Sequence, residues 1–303
     1  MPKDSLVSVI TVNFRQAQLT CDLLDSLQQS TYPNLEVFVV DNGSLEDVSD
    51  LFRAHYPGVE VIVSETNLGF AGGNNLALAR AKGDYLFLIN NDAELAPETI
   101  SVLVDGLKAD AKLGVLAPKI RYFEQPDLIQ YAGFTPVHPL TARNRTIGQG
   151  ITDEGQFDQQ RPTPYAHGAA MMLTREALER AGLMPEVYFL YYEELDWCEQ
   201  IRRAGLEIHF EPHALVWHKE SVSVGAESPM QTYYLHRNRL LFMRRNAPWW
   251  SLLSFSLFYG LITFPRWLLQ YRVQGRQSHY RALLAALKWH LSKSDRPADP
   301  ARF

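Results

Sequence analysis

Short apolar runs alternate with helix-like spacings through the first 109 residues of the chain. Each run ends on a polar residue, and the segments between runs place apolar residues three and four positions apart, as an amphipathic helix does. The strands predicted in this way are 6–13, 35–42, 59–65 and 84–90, and the predicted helices are 17–29, 45–56 with Ser44 as its cap, 70–82 and 97–109. Strands alternating with helices indicate right-handed βαβ units and a largely parallel sheet of the α/β class.

The pattern is less regular after Tyr122. Residues 124–164 are polar and rich in Gly, Pro and Gln, so we expect a variable surface excursion there. Structure should resume with a strand entering a helix at 167–175, a helix at 193–204 and a strand at 207–218. Three helices separated near Pro248 and Gly275 should follow. The sequence therefore predicts two regions, an α/β domain at 1–229 and a helical C-terminal region at 230–303.

Polar clusters stand at the carboxyl ends of the four predicted N-terminal strands. The clusters are Thr11-Val12-Asn13, Asp41-Asn42-Gly43-Ser44, Asn67-Leu68-Gly69-Phe70 and Asn90-Asn91-Asp92. Turn chemistry explains any single cluster, because Asn and Asp tolerate a left-handed backbone, and Gly43 and Gly69 should have positive φ in either case. Four clusters at one edge of a parallel sheet favour a ligand site, since open α/β sheets bind ligands there.

The composition is that of a folded globular protein. Hydrophobic residues make up 46% of the 303 positions and charged residues 21%, so disorder is not expected. Cys21 and Cys198 fall in predicted helices and are interpreted as buried apolar side chains, because two cysteines do not make a disulfide framework. The first apolar run is too short for a secretory signal and lacks a cleavage site. We therefore expect a cytoplasmic protein.

The turn after the first strand excludes two common phosphate-binding motifs. It runs Asn13-Phe14-Arg15-Gln16-Ala17, without the glycines that let backbone approach a pyrophosphate, and no G-x-x-x-x-G-K sequence occurs in the chain. A diphosphate bound at this edge would then need a cation to neutralise its charge. Asp92 is the carboxylate placed to hold such a cation.

Seven segments occur in an order and spacing that characterise one enzyme family. They are VSVITVNF, VFVVDNGS, NLGFAGGNN, LFLINNDAEL, HGAAMML, FLYYEELDWCEQIRRAG and VWHKESVS. The set covers about residues 5–245 and resembles family 2 glycosyltransferases of the GT-A fold. Within that family it is most similar to the rhamnosyltransferase-like enzymes of cell-wall and cell-surface polysaccharide biosynthesis. The resemblance implies a Rossmann-like, mostly parallel central sheet flanked by helices, with a C-terminal helical extension.

The same resemblance implies an inverting glycosyltransferase. A sugar, rhamnose-like or another hexose, would move from a dTDP- or UDP-linked donor to a glycan or lipid-linked acceptor, usually with Mg²⁺ or Mn²⁺. The nucleotide sugar would occupy the half formed by about residues 1–122, and the acceptor the half formed by about residues 165–229.

The metal site implied by the resemblance lies at Asn90-Asn91-Asp92, the family's D-x-D position. Asn90 replaces the first Asp, which leaves Asp92 as the carboxylate ligand. One carboxylate suffices for a hard cation that also takes phosphate oxygens, but the lost charge should weaken binding of free metal. His218 falls where some family members have a metal-binding histidine, and imidazole suits Mn²⁺ better than Mg²⁺. A lone histidine is otherwise more often a structural residue.

Other strand-end residues match donor-binding positions of the family. Asp41 corresponds to the residue that accepts the pyrimidine imide N–H, a role that suits a carboxylate. The remaining positions implied for base, ribose and diphosphate are Thr11, Val12, Asn13, Asn42, Ser44, Asn67, Gly69, Phe70, Asn74, Asn90 and Asn91. His167, Gly168 and Ala169 match a small-residue strand that leaves room for the acceptor.

Three carboxylates stand at the start of the helix predicted at 193. Glu193, Glu194 and Asp196 have a simple structural explanation, because acidic residues stabilise a helix N-terminus. The preceding aromatic run favours a partly buried setting, in which the pKa of a carboxyl is raised and its carboxylate becomes a better base. The family places its catalytic base in such a pair. Glu194 matches that position, Glu193 is the second choice, and Asp196 is expected to orient partners or cap the helix.

The C-terminal region is basic and contains a long apolar run. Residues 230–303 carry 12 basic and 2 acidic side chains, a net charge of +10, against −15 for the remainder. The uncharged run 249–265 has 17 residues, short of the roughly 20 that span a membrane, and Pro265 should interrupt it. Flanking tryptophans and arginines predict peripheral binding to the anionic inner face of the cell membrane. A packed core helix or a homodimer interface is the alternative, and the acidic body argues against a nucleic-acid partner.

Two other functions are compatible with the same residues. Replacement of a carboxylate by Asn90 would suit a catalytically inactive nucleotide-sugar-binding protein. A nucleotidyltransferase would need a basic phosphate loop after the first strand, where Arg15 is the one cation. Hydrolysis of the donor separates an enzyme from an inactive binding protein.

Overall fold

The computed structural model describes residues 4–219 and 228–292, which form an α/β body and a set of C-terminal helices. Its strands are β1 Val7–Asn13, β2 Leu35–Asn42, β3 Val59–Ser64, β4 Tyr85–Ile89, β5 Ala93–Leu95, β6 Leu113–Tyr122, β7 Leu128–Tyr131, β8 Ile151–Thr152, β9 Arg161–Pro162, β10 Ala170–Thr174 and β11 Glu207–His218. Its α-helices are α1 Ala17–Gln28, α2 Ser49–His55, α3 Gly69–Leu78, α4 Thr99–Ala109, α5 Arg175–Ala181, α6 Glu193–Arg203, α7 Pro229–Asn246, α8 Trp249–Phe258, α9 Phe264–Val273 and α10 Gln277–Leu291. Residues 220–223 of the segment VWHKESVS and residues 293–303 of the basic tail lie outside the described residues.

One mixed sheet joins the strands in the order β3-β2-β1-β4-β10-β6-β11-β5, with β7, β8 and β9 attached at its margins. The strands β1 to β4 are mutually parallel, as the βαβ pattern predicts. In the second half, β10 runs antiparallel to β4 and β6, while β11 is parallel to β6. The α/β fold class is therefore confirmed, and the departures from parallel pairing are concentrated after β4.

Strand register brings the polar clusters to one edge. Asn13 at the end of β1 lies opposite Asp41 at the end of β2, and Ile10 lies opposite Leu88 in β4. The interiors of these strands are buried, so each strand remains apolar until it reaches the edge. Helices such as α1 cover the sheet, and each fully buried leucine contributes about 1.5–3 kcal/mol. The polar side chains of the sheet therefore lie at the carboxyl ends of its strands.

The second helix is shorter than predicted. It begins at Ser49 and not at position 45, and Leu45 is exposed. Ser44 does not cap this helix, because its hydroxyl donates to Oδ1 of Asp41 at 2.5 Å and accepts from Nδ2 of Asn13 at 3.2 Å. The predicted cap residue is instead part of the strand-end cluster.

Residues 124–164 were expected to be a surface excursion, and that prediction is wrong in part. The strand β7 lies in the sheet beside β6, and its residues Ile129 and Tyr131 are fully buried. Lys119 of β6 is also buried and forms ion pairs with Asp153 and Asp158 at 2.8 and 2.7 Å. The polar composition of this segment thus reflects turns and ion pairs that belong to the fold.

The C-terminal region contains helical segments that are separated at Pro248 and Gly275, as predicted. The expectation that Pro265 interrupts the middle segment is wrong. In the structure α8, a π-helical turn at Tyr259–Thr263 and α9 form one continuous helix, Trp249–Val273, of 25 residues. A π turn rearranges backbone hydrogen bonds and so accommodates the missing N–H of a proline. By length and composition this continuous helix reaches the size of a membrane span.

Candidate active site

Strand pairing brings Asp92 and His218 together. The strand β5, which follows Asp92, pairs antiparallel with β11 so that Ala93 lies opposite His218. The Nε2 atom of His218 is 3.1 Å from Oδ1 of Asp92, and 7% and 6% of the two side chains are exposed. The two residues that the sequence assigns to a metal therefore form a buried pair.

Gln130 sets the tautomer of His218. The Oε1 atom of Gln130 lies 2.8 Å from Nδ1 of His218, and because an amide oxygen only accepts, Nδ1 carries the proton. The Nε2 atom is then unprotonated and lies 3.1 Å from Oδ1 of Asp92. Metal-binding histidines are commonly oriented by this kind of hydrogen bond to the other ring nitrogen.

The Asp92–His218 pair fits a divalent cation. Oδ1 of Asp92 is buried and has no hydrogen-bond partner among the described residues. In the tautomer set by Gln130, the unprotonated Nε2 of His218 lies 3.1 Å from Oδ1 of Asp92 and accepts from Nδ2 of Asn90 at 3.4 Å. A cation between the nitrogen and the carboxylate oxygen would relieve the repulsion between their lone pairs. Residues 4–219 and 228–292 contain no convergent group of three His, Cys, Asp or Glu side chains. Phosphate oxygens and water would have to complete the coordination of a cation bound here.

Asn90 and Asn91 contribute differently to this edge. The backbone N–H of Asn90 donates to the carbonyl of Ala169 at 2.8 Å, and its Nδ2 atom lies 3.4 Å from Nε2 of His218. Asn91 points inward and donates to Oγ1 of Thr20 in α1 at 3.2 Å. Asn90 therefore faces the candidate metal position, while Asn91 anchors the turn.

A buried hydrogen-bond network joins the ends of β1 and β2. Nδ2 of Asn13 donates to Oδ1 of Asp41 at 3.0 Å, and the Ser44 hydroxyl bonds to both residues. Oδ1 of Asn13 accepts from Thr20 at 3.1 Å, which ties the network to α1. The orientation of the Asp41 carboxylate is thus fixed by the protein alone.

Thr11 and Val12 lie just inside this network. Oγ1 of Thr11 is buried and has no hydrogen-bond partner in the described part of the chain. Val12 packs against α3, where a Cβ atom on Gly73 would come within 2.8 Å of its side chain. Their side chains therefore lie directly before the polar end of β1.

Three asparagines of the predicted donor set are bonded to their own loop. Nδ2 of Asn42 donates to Oδ1 of Asn67 at 3.1 Å and to the carbonyl of Gly69 at 3.0 Å. Oδ1 of Asn67 accepts from the N–H of Gly69 at 2.8 Å, and Asn74 donates to the carbonyl of Phe70 at 2.9 Å. These amides shape the loop that enters α3.

Gly69 joins that loop to the segment before α6. Its φ is +74°, and that of Gly43 is +87°, so the expectation of positive φ is confirmed at both glycines. A Cβ atom on Gly69 would lie 2.2 Å from the carbonyl oxygen of Phe189, and the N–H of Phe70 donates to the same oxygen at 2.9 Å. Only glycine permits this approach between the two sides of the site.

Glu193 and Glu194 begin α6 in different surroundings. Glu193 is buried, and its Oε2 atom has no hydrogen-bond partner in the described chain. Burial, and then the charge of Glu194, raises the pKa of Glu193 well above its usual range. Burial also raises the pKa of Glu194, which is only partly covered. Both carboxyls therefore release their protons at a higher pH than free glutamates do.

Gly168 places Glu194 beside the 167–169 segment, which the sequence predicts as a strand but which forms a turn before β10. A Cβ atom on Gly168 would lie 3.7 Å from Cγ of Glu194 and 3.9 Å from the ring of Phe70. The ring centroid of His167 is 6.2 Å from that of His218, and burial lowers the pKa of His167 to about 3, which keeps it neutral. The 167–169 segment therefore connects the predicted base with the metal edge.

Asp196 is buried and bonded to the C-terminal region. Nε of Arg245 in α7 donates to its Oδ2 atom, and Gln200 lies 3.4 Å from its Oδ1 atom. An ion pair of this kind fixes α6 against α7. Asp196 therefore links α6 to α7, and its role as an orienting residue stays a prediction.

Comparison with known proteins identifies the family. The sequence profile of Glycosyl transferase family 2 matches residues 8–182, more than half of the chain. The chain belongs to glycosyl transferase family 2. It is 24% identical to the N-acetylglucosaminyl-diphospho-decaprenol L-rhamnosyltransferase of Mycobacterium tuberculosis over 266 residues, which cover 81% of this chain and 86% of the relative.

Solved structures of glycosyltransferases share the fold of this family 2 chain. Mannosyltransferase PcManGT from Pyrobaculum calidifontis, in complex with GDP-Man and Mn²⁺, has a TM-score of 0.58 and 18% identity, covering 99% of this chain and 78% of that one. GalNAc-T7 with UDP, GalNAc and Mn²⁺ has a TM-score of 0.66 and 16% identity, covering 95% and 57% of the two chains. The GT-A fold is therefore confirmed.

In this family 2 glycosyltransferase the loop before α6 has an unusual backbone. Phe189, Tyr191 and Tyr192 have φ values of 64°, 68° and 75°, which residues other than glycine rarely adopt. Conformations of this kind persist only where the surrounding structure imposes them, and they are common at active sites. Contacts with other segments of the protein must therefore hold the loop that precedes Glu193 and Glu194.

Arg237 and Asn238 of α7 hold this loop, and we call them the α7 clamp. Arg237 donates to the carbonyls of Val187 and Tyr188 at 2.6 Å each. Asn238 donates to the carbonyls of Tyr188, Leu190 and Tyr191 at 3.0, 2.6 and 2.8 Å. Both clamp residues are completely buried. The C-terminal region thus fixes the backbone that carries the predicted base.

Gln130 and the α7 clamp were not predicted from the sequence. Gln130 lies in the segment that was interpreted as a surface excursion, and its one signal is a single amide within the apolar run 128–132. Arg237 and Asn238 lie in a helix rich in basic residues, which was interpreted as membrane-facing. The aromatic neighbours Tyr233 and Tyr234 were the signal that this helix is buried.

Proposed function

We propose that this protein is an inverting, metal-dependent glycosyltransferase that moves a rhamnose-like or other hexose from a nucleotide diphosphate to a lipid-linked acceptor in cell-surface polysaccharide synthesis. The observation that carries the proposal is the buried Asp92–His218 pair, with Glu194 nearby across Gly168. Transfer from a nucleotide sugar needs a cation for the diphosphate and a base for the acceptor hydroxyl. The name of the M. tuberculosis relative, which includes a lipid diphosphate, supports the acceptor class.

The donor would bind along the ends of β1 and β2 and the loop entering α3. Asp41, oriented by Asn13 and Ser44, would accept the imide N–H of a pyrimidine, which favours UDP- or dTDP-linked sugars. The loop shaped by Asn42 and Asn67 would lie along the ribose and diphosphate. The fixed orientation of Asp41 supports this assignment because no side chain has to reorganise on binding.

Glu194 is the proposed base. The acceptor hydroxyl gives its proton to a carboxylate oxygen of Glu194 while the acceptor oxygen bonds to the anomeric carbon. The bond from that carbon to the diphosphate oxygen breaks, and its electron pair leaves with the nucleoside diphosphate. Attack opposite the leaving group inverts the anomeric configuration. A divalent cation bound by Asp92 and His218 would stabilise the charge that develops on the diphosphate.

Glu193 would act as a neutral neighbour of the base. Burial, and then the charge of Glu194, raises the pKa of Glu193 well above its usual range, which favours the protonated form of Glu193 beside an ionised Glu194. The partly covered Glu194 lies against Gly168 on the acceptor side, whereas Glu193 is buried. This difference in exposure supports Glu194 over Glu193 as the base.

Mn²⁺ is the proposed cation, with Mg²⁺ as the alternative. One of the two protein ligands is an imidazole nitrogen, and imidazole is a better ligand for Mn²⁺ than for Mg²⁺. The orientation of His218 by Gln130 supports its use as a ligand.

A location on the inner face of the cell membrane belongs to the same proposal. The continuous helix Trp249–Val273 exposes 77% of Trp249, 74% of Leu261 and 77% of Val273. Arg266 and Arg272 interrupt its apolar surface, and charged side chains are costly in the bilayer core. These features support a helix lying in the membrane interface over a helix that crosses the bilayer.

Donor turnover tests the proposed function. UDP- and dTDP-linked sugars are incubated with the protein in EDTA, Mg²⁺ or Mn²⁺, with and without a lipid-diphosphate-linked acceptor. Release of nucleoside diphosphate should require metal and be faster in Mn²⁺. Thermal stabilisation by nucleotide sugars without turnover of any of them would favour the inactive binding protein. Release of inorganic diphosphate would indicate nucleotidyl transfer.

A further inference from the structure

A cavity of about 460 Å³ lies between residues 141–143 and the continuous helix Trp249–Val273. Three arginines, Arg143, Arg239 and Arg266, line it. Phe258, Ile262 and Trp267 form its apolar wall. We call this cavity the arginine pocket.

No carboxylate neutralises the arginine pocket within the described residues. The arginine ion pairs of residues 4–219 and 228–292 all involve other arginines. Arg239 is buried, and its charge lowers the pKa of the Arg143 guanidinium, so two cations oppose each other at the cavity. Of the three arginines Arg239 is buried, whereas Arg143 and Arg266 are exposed at the mouth of the cavity. Burying the Arg239 cation without a counter-charge costs free energy, and an anionic ligand would reduce that cost.

The arginine pocket adjoins the loop that carries the predicted base. Nε of Arg239 donates to the hydroxyl of Tyr192 at 3.2 Å, and this hydroxyl donates to the carbonyl of Ala142 at 3.1 Å. Ala142 has a φ of +50°, a conformation that the neighbouring contacts must impose. Tyr192 immediately precedes Glu193 in the chain, so the pocket is connected through Arg239 to the segment that enters α6.

An apolar stripe runs beside the arginine pocket on the same helix. Phe258, Ile262 and Arg266 face the cavity at intervals of four residues. The stripe follows the same spacing but is shifted by one residue, so that Leu257 precedes Phe258 and Leu261 precedes Ile262. Its exposed residues are Leu253, Leu257, Leu261, Leu269 and Val273. Neighbouring residues of a helix are about 100° apart around its axis, so the stripe and the pocket occupy adjacent faces. An anionic group in the pocket would thus lie beside a surface suited to a lipid chain.

We propose that the arginine pocket binds the diphosphate of a polyprenyl-diphosphate-linked acceptor, whose lipid chain lies along the apolar stripe. The inference rests on the proposed function for the direction of the acceptor sugar, which would extend past Tyr192 toward Glu194. Binding of the lipid diphosphate itself requires no turnover. The pocket therefore accounts for both the uncompensated cations and the exposed apolar residues.

A diphosphate matches this pocket better than a single phosphate. Guanidinium groups bind phosphate oxygens through paired N–H donors, and three of them can share two linked phosphates. A single phosphate would leave more of the positive charge uncompensated. The relative from M. tuberculosis also has a lipid diphosphate in its name, although its identity to this chain is only 24%.

Calorimetric titration with farnesyl diphosphate in EDTA tests the inference. EDTA removes metal-dependent binding at the donor edge, and the Asp92→Asn variant should bind the probe as the wild type does. Arg143→Gln and Arg266→Gln should each weaken binding by roughly 10- to 100-fold, the loss expected for charge-assisted hydrogen bonds. Arg272→Gln is the matched control, because Arg272 is an exposed arginine of the same helix that does not line the pocket. That variant should retain wild-type affinity for the probe.

Several results would overturn the inference. Equal weakening in Arg272→Gln would show a general charge effect, and undiminished binding in Arg143→Gln and Arg266→Gln would place the probe elsewhere. Displacement of the probe by phosphatidylglycerol vesicles would assign the pocket to phospholipid headgroups. If inorganic diphosphate bound as tightly as farnesyl diphosphate, the apolar stripe would contribute nothing to binding of the lipid chain. Metal-dependent turnover without probe binding would leave the proposed function standing and remove this inference, whereas probe binding without turnover would do the reverse.

Discussion

The sheet edge and the C-terminal helices contribute to the candidate site in opposite ways. At the sheet edge, polar side chains bond to one another, as Asn13, Asp41 and Ser44 do. The C-terminal helices instead bond to the backbone of another segment, because Arg237 and Asn238 donate to carbonyls before α6. In the proposed function, recognition of the donor is therefore organised by neighbouring strands, whereas placement of the proposed base depends on contacts between segments about 50 residues apart.

The two regions also leave opposite charges uncompensated. In the body, a carboxylate oxygen of Asp92 has no hydrogen-bond partner among the described residues. In the C-terminal region, Arg239 and Arg266 line a cavity without a carboxylate. This contrast agrees with the sequence, in which residues 230–303 carry +10 and the remainder −15. A cation-bound donor suits the first region, and an anionic acceptor suits the second.

Among the variants that test this comparison, removal of the proposed base should have the largest effect on kcat. Glu194→Gln keeps nearly the same shape but cannot take the proton, so kcat should fall by about 10²–10⁴-fold with little change in donor affinity. In the wild type, burial raises the pKa of Glu194, so activity should be lost as the pH falls through a value above that of a free glutamate. Steady-state kinetics over a range of pH measure both effects.

Glu193→Gln is the matched control for this variant. The pKa of Glu193 is raised well above its usual range, which favours its protonated form, and glutamine resembles that form in shape and charge. Activity should therefore survive better than in Glu194→Gln. An inactive Glu193→Gln beside an active Glu194→Gln would move the base by one position.

The next largest effect should come from Asp92→Asn. Loss of the carboxylate ligand should lower metal-dependent turnover by at least about 100-fold, since even removal of a residue that supports a ligand costs 10- to 100-fold. The fold should survive because Asp92 follows a strand end and lies outside the apolar core. Turnover titrated with Mn²⁺, together with a thermal unfolding curve, measures both.

Asn90→Asp is the companion variant, because it restores the second carboxylate of the D-x-D position. It should tighten binding of free metal, as an added charge favours a hard cation. Near-normal kcat/KM of Asp92→Asn at limiting metal would contradict the metal assignment.

Breaking the α7 clamp should have an intermediate effect. Asn238→Ala removes donors from three carbonyls of the strained loop and should lower kcat by roughly 10- to 100-fold, because small misplacements of a catalytic group are costly. The KM for the donor should change little, since the donor edge is built from other residues. Arg244→Ala is the control, as Arg244 is exposed on the same helix. A purely structural role would instead lower the unfolding temperature and leave kcat intact in the folded fraction.

The sheet edge could be predicted from the sequence because its signals are local. Each strand carries its own polar ending, and the parallel order of β1 to β4 follows from the alternation of strands and helices. The α7 clamp could not be predicted, because α7 carries no local sign that Asn238 meets Leu190 and Tyr191. The effect of Pro265 was predicted wrongly for a related reason, because a π turn within the helix compensates for the missing N–H of the proline. The pattern of residues alone does not predict long-range contacts or local adjustments of the backbone.

The smallest expected effects concern the membrane surface. Each Lys or Arg near an anionic surface contributes about 1 kcal/mol and is screened by salt, so the C-terminal region should bind anionic liposomes reversibly. Binding should grow with the anionic lipid fraction and fall as salt rises. Leu261→Ser should weaken binding several-fold by removing one exposed apolar side chain of the stripe. Leu45→Ser, which changes an exposed leucine on the body, is the matched control.

Cosedimentation separates the possible uses of the helix Trp249–Val273. Its 25 residues exceed the roughly 20 that span a bilayer, so length alone permits crossing. Arg266 and Arg272 oppose crossing, and the arginine pocket gives this helix a function at the interface. Resistance to alkaline carbonate extraction would show that the helix spans the membrane. Indifference to both lipid charge and salt would indicate a packed helical subdomain or a homodimer interface, in which case Leu261 and Val273 should become protected in the dimer.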